Sequence, residues 1–104
     1  MDADKRFDHK EIDEVIHGRI RLGAVAYLST VHSALFSELR DKVGATDGNL
    51  STHLRKLEEA GYVSVDKSFV DRKPRTMIAL SDAGRKAWLQ WLERMRSLAG
   101  AADE

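Results

Sequence analysis

The chain has 104 residues, enough for one small domain with its own core and too few for a second core. Hydrophobic residues make up 42% of it and charged residues 33%, values that exclude wholesale disorder. The absence of cysteine excludes disulfide frameworks, thiol nucleophiles and cysteine-based zinc sites, and it agrees with a reducing cytosol. Because no apolar run is long enough to span a membrane and the N-terminus lacks a signal-peptide segment, we expect a cytoplasmic protein without a membrane partner.

The charges cancel overall but are unevenly distributed. Seventeen basic residues balance seventeen acidic ones, so the net charge gives no argument for a nucleic-acid partner. Residues 1–14 hold six acids and three bases, whereas residues 67–75 hold four bases and one acid. A local basic surface of this kind can still bind phosphates, with an affinity that is modest and falls as salt rises.

The N-terminal part of the chain is predicted to be helical after a frayed start at residues 1–8. From His9 onward the apolar residues keep helical spacing, and Gly18 breaks or bends the pattern before the apolar segment Arg19–Leu28. This pattern predicts two helices or one kinked helix. A loop follows, and residues 34–36 are compatible with a brief strand.

A short helix followed closely by a longer one is predicted next. Ser37 is a suitable N-cap, and apolar residues follow at helical spacing until Gly44. Only Gly44 and Ala45 then separate this helix from Thr46, where the next one starts. A short helix, a turn of three or four residues containing glycine, and a second helix form the helix-turn-helix arrangement.

The second of these helices carries a start signal, two distinct faces and a stop signal. Thr46 is a good N-cap, and Gly61 supplies the residue with positive φ that commonly follows a helix. Leu50, Leu54 and Leu57 are spaced i, i+4 and i+7, so they line one side and can pack on a small core. These features predict a recognition helix, although an ordinary amphipathic surface helix is the alternative when the segment is taken alone.

The opposite side of this helix is polar and suits a DNA duplex. Asn49 can form two hydrogen bonds to adenine, the hydroxyls and the imidazole can reach base edges or phosphates, and the cations suit phosphates. In helix-turn-helix proteins the N-terminal half of the second helix contacts base edges in the major groove. The DNA-binding residues predicted on this helix are Thr46, Asn49, Thr52, His53, Arg55 and Lys56.

The sequence period changes after the recognition helix. Residues 62–66 and 76–80 alternate in the manner of strands, and the long connection between them contains the chain's only proline. This predicts a hairpin with a basic tip, a wing, which lies along the DNA backbone or enters the minor groove. The alternative is a charged tip that only faces solvent. The predicted wing residues are Lys67, Arg72, Lys73 and Arg75.

A last helix with a broad apolar stripe is predicted after the hairpin. Ser81 is its expected N-cap, and residues 100–104 are expected to fray. Together with apolar residues near the N-terminus, the stripe offers more surface than so small a domain easily buries, which predicts a homodimer. The alternative is that both helices merely close the monomer core. The predicted interface residues are Ile12, Val15, Ile16, Trp88, Trp91, Leu92 and Met95.

The order of the predicted elements indicates a fold class. It runs α-α-α-α-β-β-α, mainly α with a small β-hairpin, over residues 9–99. This order is that of a winged helix-turn-helix domain, with the first and last helices available for dimerisation.

Three segments carry a more specific sequence pattern, namely Val43–Ser51, the wing residues Arg72–Thr76, and Leu80–Arg85. With them, residues 10–98 resemble the single-domain winged-helix regulators related to MarR. Lys73 departs from the family's wing pattern but keeps the charge. The resemblance implies a homodimeric, DNA-binding transcriptional regulator, usually a repressor.

The sequence gives no support for an enzyme. Its histidines lack metal-ligand spacing, its carboxylates lack catalytic pairing, and it has no glycine-rich phosphate loop, so we expect no catalytic residue, metal or cofactor. The predicted function is sequence-specific binding of double-stranded DNA by a homodimeric regulator. The alternative is a winged-helix module that docks a protein and binds no DNA, an alternative that the neutral net charge leaves open.

Overall fold

The computed structural model describes residues 13–102 of the chain. In this part the chain forms four helices and a three-stranded antiparallel sheet, an architecture that confirms the predicted winged helix-turn-helix fold. The elements are α1 (Arg19–Leu28), β1 (Ala34–Leu35), α2 (Phe36–Val43), α3 (Asp47–Glu59), β2 (Val63–Val70), β3 (Lys73–Leu80) and α4 (Asp82–Ala102).

The sheet joins the predicted hairpin to the start of the helix-turn-helix. Strand β3 lies in the middle and pairs with β1 on one side and β2 on the other. Ala34 pairs with Ile78, and Val63 pairs with Leu80. The brief strand expected at residues 34–36 is therefore present, although Phe36 already begins α2.

The core is apolar and takes residues from every helix. The three leucines predicted on the inner face of α3 are buried, as the 3.6-residue helical period requires. No polar or charged residue is fully buried among residues 13–102. The buried apolar residues are Ile16, Ile20, Ala24, Val25, Leu28, Ala34, Leu39, Leu50, Leu54, Leu57, Val63, Ile78 and Ala87.

The chain before α1 differs from the prediction. Residues 14–16 form a turn instead of a helix, and the Oδ1 atom of Asp13 accepts hydrogen bonds from the backbone N–H of Val15 at 2.8 Å and of Ile16 at 3.3 Å. These bonds have the form of an N-cap, and the N–H of His17 donates to the carbonyl of Asp13 at 2.8 Å, so the segment makes one capped turn. Gly18, with a φ of +137°, ends this turn before it can extend into a helix. The frayed start predicted for residues 1–8 and the predicted interface residue Ile12 lie outside the described residues.

Asp13 also ties this turn to the end of α3. Its Oδ2 atom accepts a hydrogen bond of 2.7 Å from the hydroxyl of Tyr62, which follows α3. This bond, together with burial and the carboxylate charge, raises the pKa of Tyr62 to about 12. The hydroxyl of Tyr62 therefore remains a protonated donor further into the alkaline range than an ordinary tyrosine does.

Helix α2 begins earlier than expected, so Ser37 is not its N-cap. The helix starts at Phe36, and the carboxylate of Glu38 accepts from the N–H of Leu35 at 3.4 Å and from the hydroxyl of Tyr27. An anionic side chain in the first turn thus takes the role predicted for a serine hydroxyl.

The stop signal after α3 is confirmed. Gly61 has a φ of +81°, its N–H donates to the carbonyl of Glu58, and the N–H of Tyr62 donates to the carbonyl of Leu57, both at 2.9 Å. These two bonds form a Schellman motif, which provides hydrogen-bond donors for carbonyls that have no partner within the helix. The chain consequently reverses within two residues and enters β2.

Helix α4 has the predicted N-cap and a longer C-terminal end. The Ser81 hydroxyl accepts from the N–H of Gly84 at 3.0 Å and donates to the Gly61 carbonyl at 2.5 Å. The helix continues to Ala102, so residues 100–102 are helical where a frayed tail was predicted, and residues 103–104 lie outside the described part. None of the helices within residues 13–102 is sufficiently long and apolar to cross a lipid bilayer.

The first turn of α4 packs directly on the backbone at the end of α3. A Cβ atom added at Gly84 would lie 2.1 Å from the carbonyl oxygen of Tyr62 and 2.8 Å from the Leu80 side chain. The same Tyr62 carbonyl accepts the N–H of Ser81 at 2.9 Å, so the contact cannot open without loss of that bond. Only glycine fits at this position.

We expect Gly84→Ala to lower the free energy of unfolding by about 1 to 3 kcal/mol, because the backbone must move away from the added methyl group. A loss of stability would be diagnostic, because alanine in a helix interior is normally more stabilising than glycine by about 1 kcal/mol. The matched control is Gly100→Ala in the same helix, where an added Cβ meets nothing within 4 Å. Urea unfolding followed by circular dichroism measures both, and equal stability of the two variants would contradict the contact.

Candidate nucleic-acid interface

The predicted recognition helix starts with the cap that the sequence indicated. The Thr46 hydroxyl accepts from the N–H of Asn49 at 3.1 Å, which confirms Thr46 as N-cap of α3. In addition, Arg40 of α2 donates to the carboxylate of Asp47 at 2.8 Å, and this bond is the main reason for the raised pKa of Arg40. The ion pair connects the two helices of the motif and places a cation beside the one acidic side chain in the first turn of α3. Sequence reasoning missed it because the pair spans two elements.

The outer face of α3 is open to solvent at most of the predicted positions. Five of the six side chains are exposed, and no other described element covers them. Helical spacing puts Arg55 on the flank toward the hairpin and Thr52 in the middle of the face. The exposed predicted residues are Thr46, Asn49, Thr52, Arg55 and Lys56.

His53 departs from this pattern. Its side chain is half-buried, and burial is the first cause of its lowered pKa, followed by the positive charges of Arg21 and Lys56. The imidazole is consequently neutral at pH 7, and its Nδ1 atom is shielded with no hydrogen-bond partner among residues 13–102. The prediction that His53 stands on a freely exposed stripe was wrong. No group of three or more His, Asp or Glu side chains in residues 13–102 is arranged to hold a metal ion.

Arg21 is a further cation beside α3 that sequence reasoning did not place there. It belongs to α1, and its charge acts on His53 across the contact between α1 and α3. No spacing within the sequence could reveal this neighbour, because 31 intervening residues fold between the two positions. Arg21 therefore places a positive charge beside His53, where α3 contacts α1.

The hairpin is longer and its tip tighter than predicted. Strands β2 and β3 pair without interruption from Val63 with Leu80 to Val70 with Lys73, so the residues expected in a long loop are mostly strand. Only Asp71 and Arg72 form the turn, with φ values of +54° and +68°. Two positive φ values in a two-residue loop are the signature of a type I′ turn, whose twist matches that of the strands.

The four predicted wing cations do not lie on one face of this hairpin. Side chains alternate along a strand, so Lys67 shares the face of the buried Val63, while Lys73 and Arg75 lie on the opposite face. Arg72 stands at the turn between the two faces. All four cations are exposed, but the expectation of a single basic cluster has to be replaced by cations distributed around a thin ribbon.

A groove separates α3 from the hairpin. It has a volume of about 720 Å³ and is partly open to solvent. Arg55 and Ser51 of α3 line one side, and Lys67 and Thr76 of the hairpin line the other. The recognition helix and the inner face of the wing therefore border the same surface depression.

The predicted dimer residues fall into two groups. Ile16 is completely buried and contributes to the monomer core, so its assignment to an interface was wrong. Val15 and Met95 are half-buried, as are Trp88 and Trp91, whose rings stack with centroids 5.7 Å apart, and Leu92 is 41% exposed. In α4 no apolar side chain from 88 to 99 is fully buried, which leaves this stretch of the helix with an uncovered apolar side.

Comparison with known proteins gives the family. Residues 20–99 match the family model described as "Winged helix DNA-binding domain". The chain belongs to this family. The match covers α1 through most of α4, including the helix-turn-helix and the wing.

This winged helix protein is also similar to individual proteins of other organisms. An uncharacterized protein of Methanocaldococcus jannaschii is 32% identical over 85 residues, which cover 82% of this chain and 92% of that protein. The structure of a transcriptional regulator homologue from Pyrococcus horikoshii OT3 is similar with a TM-score of 0.87 and 27% identity, covering 97% of this chain and 100% of that one.

A MarR family regulator shows the same fold at lower identity. The transcriptional regulator from Silicibacter pomeroyi has a TM-score of 0.64 and 23% identity, covering 89% of this chain and 62% of that one. The resemblance to MarR-related winged-helix regulators is thereby confirmed at the level of the fold. Family and fold support a DNA-binding regulator and point away from an enzyme.

The type I′ turn leads to a prediction about Arg72. A side chain at positive φ costs about 1 to 2 kcal/mol, whereas glycine adopts this conformation freely but loses about 0.5 to 1 kcal/mol more in backbone entropy on folding. We expect Arg72→Gly to raise the free energy of unfolding by about 0.5 to 1 kcal/mol. Arg72→Ala removes the same guanidinium but keeps a side chain at positive φ, so thermal unfolding should show no gain in stability for that control. An equal gain in both variants would attribute the effect to loss of the guanidinium and contradict backbone strain at this position.

Proposed function

We propose that the protein is a sequence-specific, double-stranded DNA-binding transcriptional regulator that acts in the cytoplasm as a homodimeric repressor. Helix α3 enters the major groove, and the wing contacts the backbone or the minor groove. One observation carries the proposal: an uncovered polar face of α3 and the inner face of a cationic hairpin border one groove. The P. horikoshii regulator homologue, similar over its whole length, supports the same role.

Helix α3 has the form that major-groove reading needs. Its three leucines hold it on the core, while Asn49 and Thr52 point away from that core without a covering element. A major groove about 12 Å wide admits one helix, and an asparagine at its floor can distinguish adenine by two hydrogen bonds. Lys56 and Arg55 lie further along the exposed face, where phosphates flank the groove.

The wing can present its tip to the narrower groove while the ribbon itself stays outside along the phosphates, because a two-stranded ribbon needs the width of a major groove. A minor groove is about 6 Å wide and bordered by phosphates on both sides. With Arg72 at the turn, Lys67 on one face and Lys73 and Arg75 on the other, such a ribbon carries a cation toward each phosphate border. Arginine is favoured in narrow minor grooves because their negative potential is enhanced.

The test starts by selecting preferred duplexes from a random pool with the purified protein. We expect Asn49→Ala to weaken binding to the selected duplex by about 1 to 3 kcal/mol and to leave binding to a scrambled duplex unchanged. Lys56→Ala is the matched control on the same helix face. It should weaken binding to both duplexes and reduce the slope of log K against log salt by about one.

Two outcomes of this experiment would count against the proposal. Equal losses on both duplexes for Asn49→Ala would remove the base-reading role of α3. Failure of the wild-type protein to retain any duplex at low salt would favour the alternative function, that of a winged helix that docks a protein and binds no DNA.

Dimerisation is proposed from the apolar side of α4. Beyond Ala87 the helix carries stacked tryptophans and the exposed Leu92, yet no described element covers them completely. A second copy of the same helix is a self-complementary partner, as two-fold symmetry requires. Two copies bind half-sites one helical turn apart and so multiply modest contacts of single domains.

We expect Leu92→Asp to separate the homodimer, because a carboxylate on each copy would be desolvated in an apolar interface. Gln90→Asp, on another side of α4, is the matched control and should leave the mass unchanged. Light scattering at micromolar concentration measures both masses, with circular dichroism as a check on folding. A monomeric wild type, or a dimeric Leu92→Asp variant, would refute this interface.

A further inference from the structure

The end of the wing carries an apolar side chain that the fold does not bury. Phe69 is 76% exposed, more than any other large hydrophobic residue in the described part of the chain. Its cross-strand partner is Pro74, and its neighbour Val70 is 43% exposed. Cross-strand packing of a ring on a proline helps the hairpin, but it leaves most of the phenyl surface in water.

The direction of Phe69 follows from the strand pattern. Val63, Val65 and Lys67 share one face of β2, and Val65 and Lys67 both line the groove beside α3. Residues two apart point the same way, so Phe69 continues this face about 7 Å beyond Lys67. The exposed ring therefore lies on the side of the wing that borders the recognition helix, near the tip.

The surroundings of Phe69 define the chemistry of its partner. Lys67 lies on the same face, Arg72 at the adjoining turn, and Arg75 on the reverse face, while Asp71 is the one acid in this stretch. A partner must therefore combine negative charge with an apolar surface. The minor groove of a DNA duplex has this combination, since phosphates border walls and base steps that accept apolar wedges.

We propose that Phe69, supported by Pro74, is an apolar wedge that the wing inserts into the minor groove beside the site read by α3. This inference rests on the proposed DNA binding and adds a specificity element to it. An apolar wedge partly unstacks a base step and bends the duplex, and pyrimidine–purine steps such as TA and CA deform most readily. The wing thus selects a flexible step at a position where no side chain of α3 reaches a base.

The test compares Phe69→Ser with Val70→Ser, a neighbouring apolar residue that points to the opposite face of the same strand. We expect Phe69→Ser to weaken binding to the selected duplex about tenfold at every salt concentration, with an unchanged salt slope, because no cation is lost. The loss should disappear when the flanking flexible step is replaced by a stiff A-tract, which the wild type itself should bind less well. Val70→Ser should stay within about twofold of the wild type.

A second variant and a second measurement guard against a folding defect. Phe69→Leu keeps an apolar wedge and should retain most of the affinity and of the duplex bend, measured by energy transfer between dyes at the two duplex ends. Wild-type affinity for Phe69→Ser, or a loss accompanied by a lower salt slope, would overturn the proposal.

Other partners of the same surface give different results. If Phe69→Ser keeps its DNA affinity but loses retention on vesicles of anionic phospholipid, the ring serves a membrane surface and the wedge is refuted. Loss of a dimer mass would assign the ring to contact between copies, again against the wedge. Absence of duplex binding by the wild type would instead remove the underlying DNA-binding proposal, so the two failures are distinguishable.

Discussion

The structure depends on burial of only one side of α3. Leu50, Leu54 and Leu57 are taken out of water by α1 and the sheet, and this fixes the rotation of the helix about its axis. With that rotation fixed, Asn49 and Thr52 have to point outward. The outward polar face is therefore a consequence of where the apolar residues stand, and a slip of one residue in the leucine pattern would rotate this face by about 100° about the helix axis.

Hydrogen bonds between distant parts of the chain then hold α3 and the wing in fixed positions relative to each other. Asp13 binds the hydroxyl of Tyr62 directly after α3, and Ser81, directly after β3, binds the carbonyl of Gly61. Both bonds converge on the corner where α3 passes into β2. The base of the wing and the end of the recognition helix are thus fixed by the same few residues.

Sequence periodicity predicted the features that arise locally, such as the Thr46 cap, the leucine face of α3 and the stop at Gly61. It failed where the deciding partner lies elsewhere in the chain. The lowered pKa of His53 depends in part on the charge of Arg21 in α1, and the strands reach the turn because cross-strand pairing, absent from any single segment, extends them. The roles of the site residues in DNA binding and dimerisation remain predictions.

The bare contact between Gly84 and the Tyr62 carbonyl has a mechanical consequence. At Gly84, α4 contacts the Tyr62 backbone between α3 and β2 with no side chain between them. Because this contact is close-packed, a tilt of α4 moves the connection between α3 and the wing as well. In a two-fold assembly through α4, the crossing angle of the two α4 helices would then determine the distance between the two α3 helices. In such an assembly, a small rotation of α4 would change this distance between the two α3 helices.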